Sequence, residues 1–111
     1  MSWPNNSDGD VFRRLKDVGF DFNAEHEIEF NIDFNSWPLK QEVINRILFL
    51  YPNCEFVDPD EDDLLAGVEF GFVQFKVVAK LTYELVVNTQ SEATKNVNEF
   101  GGICESWGTY S

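Results

Sequence analysis

Polar and apolar positions alternate strictly over residues 26–34, and this alternation restricts the possible folds more than any other feature of the sequence. The apolar phase consists of His26, Ile28, Phe30, Ile32 and Phe34. The polar phase consists of Glu27, Glu29, Asn31 and Asp33. Because successive side chains of a β-strand point to opposite faces, a period of two predicts a strand with one face on a core and the other in solvent.

Three segments have the spacing of three and four residues that is typical of amphipathic helices. The first begins at Ser7 or Asp8, either of which can cap it, and ends at Gly19. The second begins with Ser36 as its N-cap and Pro38 in its first turn, where the missing N–H costs nothing. The third runs from about residue 82 to residue 100. The positions expected to be buried in the second and third helices are Val43, Ile44, Ile47, Leu48 and Tyr51, then Tyr83, Val86, Gln90, Ala93, Val97 and Phe100.

Three further segments, residues 54–57, 68–79 and 103–109, predict strands. The alternation in the longest of them changes phase between Phe72 and Val73, which predicts a bulge or bend near Gly71. The expected order is helix, strand, helix, strand, strand, helix, strand. Without the additional N-terminal helix this order is βαββαβ, which is typical of a ferredoxin-like α+β sandwich with a four-stranded antiparallel sheet.

The chain is strongly acidic, with 20 Asp plus Glu against 8 Lys plus Arg and a formal charge of −12. This charge repels phosphates, so we expect no direct nucleic-acid binding and favour basic protein partners. The 11 Phe, 3 Trp and 3 Tyr predict a real core, and the 111 residues fit a single domain over 1–111. No apolar run approaches the roughly 20 residues that span a bilayer, and the N-terminus resembles no signal peptide. We therefore expect a cytoplasmic protein without membrane contact.

Catalytic and metal-binding motifs are absent from the sequence. There is no Gly-x-Ser-x-Gly, no phosphate-binding loop and no Cys/His pair at a recognisable spacing. His26 is the only histidine, and on the apolar phase of a strand it is expected to be a core or rim residue. Cys54 and Cys104 are interpreted as reduced thiols, not as a disulfide or a zinc site. We predict a non-enzymatic protein with no catalytic residue, cofactor or metal.

The densest acidic segment is Asp58-Pro59-Asp60-Glu61-Asp62-Asp63. Its alternating Asp residues and Glu69 have the spacing of the calcium ligands in an EF-hand loop. However, Asp63 stands where that loop needs Gly, and the flanking segments predict strands, not helices. A calcium site is therefore disfavoured, and the segment is interpreted as a solvated loop or as a surface for a basic partner. The predicted partner-binding residues are Asp58, Asp60, Glu61, Asp62 and Asp63.

Three segments carry a resemblance to a known family: His26-Glu27-Ile28-Glu29-Phe30, Phe56-Val57-Asp58-Pro59-Asp60-Glu61, and Trp107-Gly108-Thr109-Tyr110. In order and spacing they resemble the RraB family of ribonuclease E regulators. The resemblance implies a small, acidic, cytoplasmic, ferredoxin-like and non-enzymatic protein that binds an endoribonuclease and restrains RNA cleavage. The chain departs from the founding type by ending at Ser111 without an acidic tail, so the resemblance does not carry over an expectation of partner contact through such a tail.

Three functional hypotheses follow. The first is an acidic regulator that binds a basic segment of an endoribonuclease, or of another RNA-processing protein, and inhibits or modulates it. The second is an immunity-type inhibitor of another basic protein, which would use the same electrostatics. The third is a carboxylate-based enzyme or ligand binder that uses Glu27, Glu29 and Asp33 on the open face of the sheet, although pairing with Lys76 and Lys80 would make these acids structural.

Overall fold

The alternating segment forms the strand that it predicts, β1 (Glu25–Phe34), in the middle of a four-stranded antiparallel sheet. The computed structural model of the chain describes residues 3–109. The remaining elements are α1 (Ser7–Asp17), α2 (Gln41–Leu50), β2 (Glu55–Val57), α3 (Glu61–Leu65), β3 (Phe72–Lys80), α4 (Tyr83–Val97), a 3₁₀ turn (Asn98–Phe100) and β4 (Gly102–Thr109).

The strand order in the sheet is β2-β3-β1-β4, and every neighbouring pair is antiparallel. The first and third strands are therefore central neighbours, as the ferredoxin-like arrangement requires, with Phe30 opposite Phe75 and Glu29 opposite Lys76. The predicted α+β architecture with a four-stranded antiparallel sheet and an additional N-terminal helix is confirmed.

The core lies on the apolar face of β1, where the helices cover the sheet. Six side chains that the sequence assigns to one core all have an exposed fraction of 0%, namely Ile28, Phe30, Ile32, Ile47, Val86 and Val97. Phe12 of α1 joins the same cluster. The agreement between the period of two in β1 and the helical spacing of α2 and α4 is confirmed by burial at these six positions. The expected burial of Leu48 in α2 is wrong, since that side chain is 39% exposed.

The helix starts differ from the sequence predictions. Helix α1 is capped one residue earlier than expected, because the side chain of Asn6 accepts a hydrogen bond of 2.8 Å from the N–H of Gly9. Helix α2 begins at Gln41, so the prediction that Ser36 caps it with Pro38 in the first turn is wrong. Trp37 precedes proline, which disfavours helical backbone there, and its indole is hydrogen-bonded to a distant carboxylate. The segment before Gln41 therefore connects β1 to α2 outside the helix.

The start of β3 also differs. The strand begins at Phe72, so the predicted strand from Val68 and the bulge near Gly71 within it are wrong. Strand β2 has only three residues, and its last, Val57, pairs with Phe72. Residues before Phe72 have no partner on β2, so Val68 lies in the connection from α3 to β3, with 47% of its surface exposed. The register shift in the sheet instead falls between β1 and β4, at Asn31 and Ile32 of β1.

Cys54 and Cys104 are free thiols at opposite edges of the sheet. Cys54 directly precedes β2 and Cys104 lies on β4, so the intervening strands separate them by about 14 Å, twice the reach of a disulfide. Burial, with a smaller contribution from the charge of Asp33, raises the pKa of the Cys104 thiol to about 12. Burial also raises the pKa of Cys54, which is half-buried.

We expect the two thiols to differ in reactivity. Because the thiolate is the nucleophile, native protein treated with an alkylating reagent at mildly alkaline pH should be modified faster at Cys54 than at the more deeply buried Cys104. In denaturant without reductant, intact-mass measurement should show two added groups. If neither cysteine reacted under those denaturing conditions, the interpretation as reduced thiols would be wrong.

Candidate functional site

The candidate site is the β2–β3 connection, residues 58–71, which contains all five predicted partner-binding residues. Both of its ends are held against Trp37. At one end, the indole Nε1 of Trp37 donates a 2.8 Å hydrogen bond to Oδ1 of Asp58. At the other, Gly71 lies so close that a Cβ there would overlap the carbonyl oxygen of Val57 and approach the Trp37 ring to 2.5 Å. Both ends of the connection therefore lie close to Trp37, one of them through a hydrogen bond.

Within the connection, the acidic residues form a capped helix where the sequence predicts a turn-like loop. Asp60 is the N-cap of α3, and its Oδ1 accepts a 2.7 Å hydrogen bond from the N–H of Asp63. Oδ2 of Asp63 accepts a 3.1 Å bond from the N–H of Asp60, which completes a capping box. This reciprocal pair satisfies two backbone donors that a helix start leaves free.

The other end of α3 closes in a Schellman motif. Gly67 has a φ of 88°, the left-handed conformation that glycine adopts without steric cost. Its N–H donates to the carbonyl of Leu64 at 3.1 Å, and the N–H of Val68 donates to the carbonyl of Asp63 at 2.8 Å. This pair of bonds satisfies the last carbonyls of the helix and turns the chain back across its final turn.

The five predicted residues therefore divide into two groups. Asp58, Asp60 and Asp63 have hydrogen bonds that hold the connection in shape. The side chains of Glu61 and Asp62 are exposed and, within residues 3–109, make no hydrogen bond or ion pair. These two carboxylates are the ones left free for a partner.

Sequence reasoning missed an apolar part of the same connection. Helix α3 has no buried residue, and Leu64 and Leu65 are 56% and 81% exposed. Val68 and Phe70, which the alternation assigned to a strand, are also exposed. The signal that could have revealed this helix is Asp60 followed by Asp63, two leucines and Gly67, the pattern of a short helix capped at both ends.

The carboxylates on the open face of the sheet are largely engaged by Lys76. Its Nζ lies 3.2 Å from Oε1 of Glu27 and 3.8 Å from Oε1 of Glu29. The hydrogen bond with Glu27 and the charges of both acids raise the pKa of Lys76. On the same face, burial raises the pKa of Asp33, with a smaller contribution from the charge of Glu105. The predicted pairing of Glu27 and Glu29 with Lys76 is therefore present, while Lys80 lies opposite Glu25 in the register.

Neither of two clefts in residues 3–109 contains the open-face carboxylates Glu27, Glu29 or Asp33. One cleft, of about 450 Å³, is bordered by Tyr51 and Cys54. The other, of about 810 Å³, lies between α1 and the start of α4. The open-face acids therefore line neither of these clefts, and a buried acid pair in a concave pocket is the arrangement that would favour a carboxylate enzyme.

His26 and Trp107 have structural contacts. Nε2 of His26 donates a 2.7 Å hydrogen bond to the carbonyl of Asp21, and the half-buried ring packs on Phe20 with centroids 4.2 Å apart. This confirms its prediction as a core or rim residue. Nε1 of Trp107 donates a 2.9 Å bond to Oδ1 of Asp8, which joins the end of β4 to α1.

Neither a metal-binding cluster nor a membrane-spanning helix is found in the part of the chain that the structure describes. No group of three or more His, Cys, Asp or Glu side chains in residues 3–109 is placed to hold a metal ion. In the same residues, no helix has the length and apolar character needed to cross a membrane.

A sequence model of one protein family, described as regulator of ribonuclease activity B (RraB), matches residues 5–109. The chain belongs to the RraB family. The RraB match runs from the residue before the α1 cap to the end of β4, so it includes the whole β2–β3 connection. A comparison with curated protein sequences gives no match.

Membership of the RraB family supports a regulatory role toward a ribonuclease, and RraB is not a known family of enzymes. The segments that carried the resemblance lie in three places. Residues 26–30 are in β1, residues 56–61 run from β2 into α3, and Trp107 to Thr109 end β4. Tyr110, the last residue of the third segment, lies outside the described residues. The segment 56–61 overlaps the candidate site at residues 58–61, so part of the resemblance lies within the site.

Proposed function

We propose that this RraB-family protein regulates a ribonuclease E-like endoribonuclease, or a comparable basic RNA-processing protein, by binding a basic segment of it with the β2–β3 connection. The observation that carries the proposal is the pair Glu61 and Asp62, two free and exposed carboxylates on a helix capped at both ends. The family match points to a ribonuclease as the partner. It also favours that partner over the immunity-type alternative, which would use the same charges.

The electrostatics of the chain support a basic protein partner. A formal charge of −12 attracts a cationic segment from a distance and repels the phosphates of RNA. Because α3 is already ordered by its own hydrogen bonds, less conformational entropy is lost on docking than with a flexible acidic loop. Binding would thus be directed to the protein component of an RNA-processing complex, without direct nucleic-acid contact.

In this proposal the protein is a non-enzymatic, cytoplasmic regulator that occupies a surface of the ribonuclease and leaves the RNA chemically unchanged. The residues proposed for partner binding remain Asp58, Asp60, Glu61, Asp62 and Asp63, of which Asp58, Asp60 and Asp63 also hold the surface in shape. No cofactor or metal has a part in it. Occupation of the surface would inhibit or modulate cleavage by preventing the enzyme from engaging its RNA or a further protein.

The experiment compares a charge variant of the site with a matched control. Glu61→Gln with Asp62→Asn removes the two free carboxylates but keeps the capping pair, so α3 should remain folded. Against a purified ribonuclease E-like enzyme, association at low salt should slow by about threefold, and its salt dependence should weaken. Asp17→Asn with Glu99→Gln removes the same charge from exposed positions in other elements, and it should slow association much less.

The titration is run at low and moderate salt together with an RNA-cleavage assay. The proposal expects saturable binding and altered cleavage that depend on the concentration of the chain. Absence of binding at both salt concentrations would exclude this ribonuclease as a partner. If the site variant bound as the control variant does, the binding surface would lie elsewhere on the protein.

A further inference from the structure

The β2–β3 connection exposes an apolar patch, which consists of Leu64, Leu65, Val68 and Phe70. Their exposed fractions are 56%, 81%, 47% and 45%. Helix α3 itself has no buried residue, so its two leucines do not anchor it to the core. Exposed apolar side chains are ordinary when scattered singly, but a cluster rimmed by polar residues marks an interaction surface. Four of them lie within seven residues of one ordered connection, directly after the acidic residues 60–63. This concentration of exposed apolar side chains points to such a surface.

The leucines of the apolar patch and the free carboxylates share the helix α3. Residues four apart lie on the same side of a helix, so Leu65 lies beside Glu61 and Leu64 beside the capping Asp60. The Schellman bond from the N–H of Val68 to the carbonyl of Asp63 returns the chain against the last turn of α3. A partner that contacts Glu61 therefore also meets Leu65.

We infer that the apolar patch is the centre of the docking surface, and that its occupant is an amphipathic cationic segment with Lys or Arg side chains next to large apolar ones. This inference rests on the proposed function and names the chemistry of the partner segment. Charge complementarity selects the cations, because Glu61 and Asp62 are exposed on the same short helix as the two leucines. The apolar area selects the hydrophobic face, since a segment with only basic and small polar residues would leave the patch in water.

The two components of this surface should control different steps of binding. Long-range attraction by the carboxylates accelerates the encounter, and most of the association rate depends on it. Burial of an exposed leucine occurs only in the final complex, so it mainly slows dissociation. Loss of the leucines and loss of the charges should thus have distinguishable kinetic signatures.

The experiment uses Leu64→Ala with Leu65→Ala, and Phe49→Ala as the control. Phe49 is 77% exposed on α2, so the control removes a large, mostly exposed apolar side chain from another element. The probes are the purified ribonuclease and two synthetic peptides of equal length and charge. One peptide is built of Leu and Lys in the pattern of an amphipathic helix, and the other has Ser in place of Leu.

The parent chain should bind the Leu/Lys peptide more tightly than the Ser/Lys peptide. The double leucine variant should lose this preference, and its dissociation from the ribonuclease should be faster by about tenfold, with an association rate within about twofold of the parent. Phe49→Ala should retain both properties. An unchanged urea midpoint would show that the double variant is folded, as expected for side chains that are already exposed.

The outcomes separate this inference from the proposed function. Binding of the ribonuclease with no effect of the leucine variant would overturn the inference and leave the proposed function intact. Loss of the peptide preference in the leucine variant, without any ribonuclease binding, would support the docking surface and reject that partner. If Phe49→Ala lost the preference for the Leu/Lys peptide to the same extent, the preference would depend on exposed apolar side chains anywhere on the protein. That result would also overturn the inference.

Discussion

Replacing Phe30 with Ala is expected to lower the free energy of unfolding by roughly 3 to 5 kcal/mol, the usual cost of emptying a buried aromatic site. The Phe30 side chain is fully buried on the central strand β1. Its ring stacks on Phe75 with centroids 5.3 Å apart, and Phe75 in turn stacks on Tyr51 at 4.3 Å. Sheet, helices and neighbouring rings surround the site, so the structure can collapse only partly into the cavity.

Urea denaturation of parent and variant measures this change. The control is Val78→Ala, at a position that is 65% exposed and faces the other side of the sheet. Its cost should stay below about 1 kcal/mol, because little apolar area is lost and only the strand preference of valine changes. A variant at Phe30 with the midpoint of the parent would contradict the assignment of this ring to the core.

Replacing Gly71 with Ala is expected to lower the free energy of unfolding by about 2 to 3 kcal/mol, as for overpacking at a site with no free space. The added Cβ would overlap the carbonyl oxygen of Val57, a backbone atom that cannot turn away, and would approach the Trp37 ring to 2.5 Å. Relief of the overlap requires movement of β2 or of Trp37. The hydrogen bond from Trp37 to Asp58 should therefore weaken, and with it the attachment of the β2–β3 connection.

Gly108→Ala is the matched control, since a Cβ at Gly108 has open space and the residue does not need a left-handed backbone. Its effect on stability should remain within about 0.5 kcal/mol. Urea denaturation gives both values, and a change in tryptophan fluorescence of the folded Gly71 variant would report the displaced Trp37. Equal stabilities of the two variants would show that the approach at Gly71 is not tight.

The sequence predicted the position of the candidate site, but it did not show which of its residues hold the connection in shape and which are exposed. The run of acids identified residues 58–63 as a surface for a basic partner, and this remains a prediction. Composition alone could not show that Asp58 bonds to Trp37, because the two residues are brought together by the sheet and its connections. The alternation of polar and apolar residues also assigned Phe70 to a strand, which is wrong. Alternation describes where side chains point, and it does not show whether a neighbouring strand is present to pair with.

The order of the four strands and of helices α1, α2 and α4, the strand β1 and the six central core residues were determined by the sequence, because the periods of two and of three to four follow directly from backbone geometry. The start of β3 and the exposure of Leu65 were decided only by the tertiary structure. Strand β2 ends at Val57, so residues before Phe72 have no partner to continue the ladder. The chain between them instead satisfies its hydrogen bonds within α3, which needs no burial and leaves its leucines in solvent.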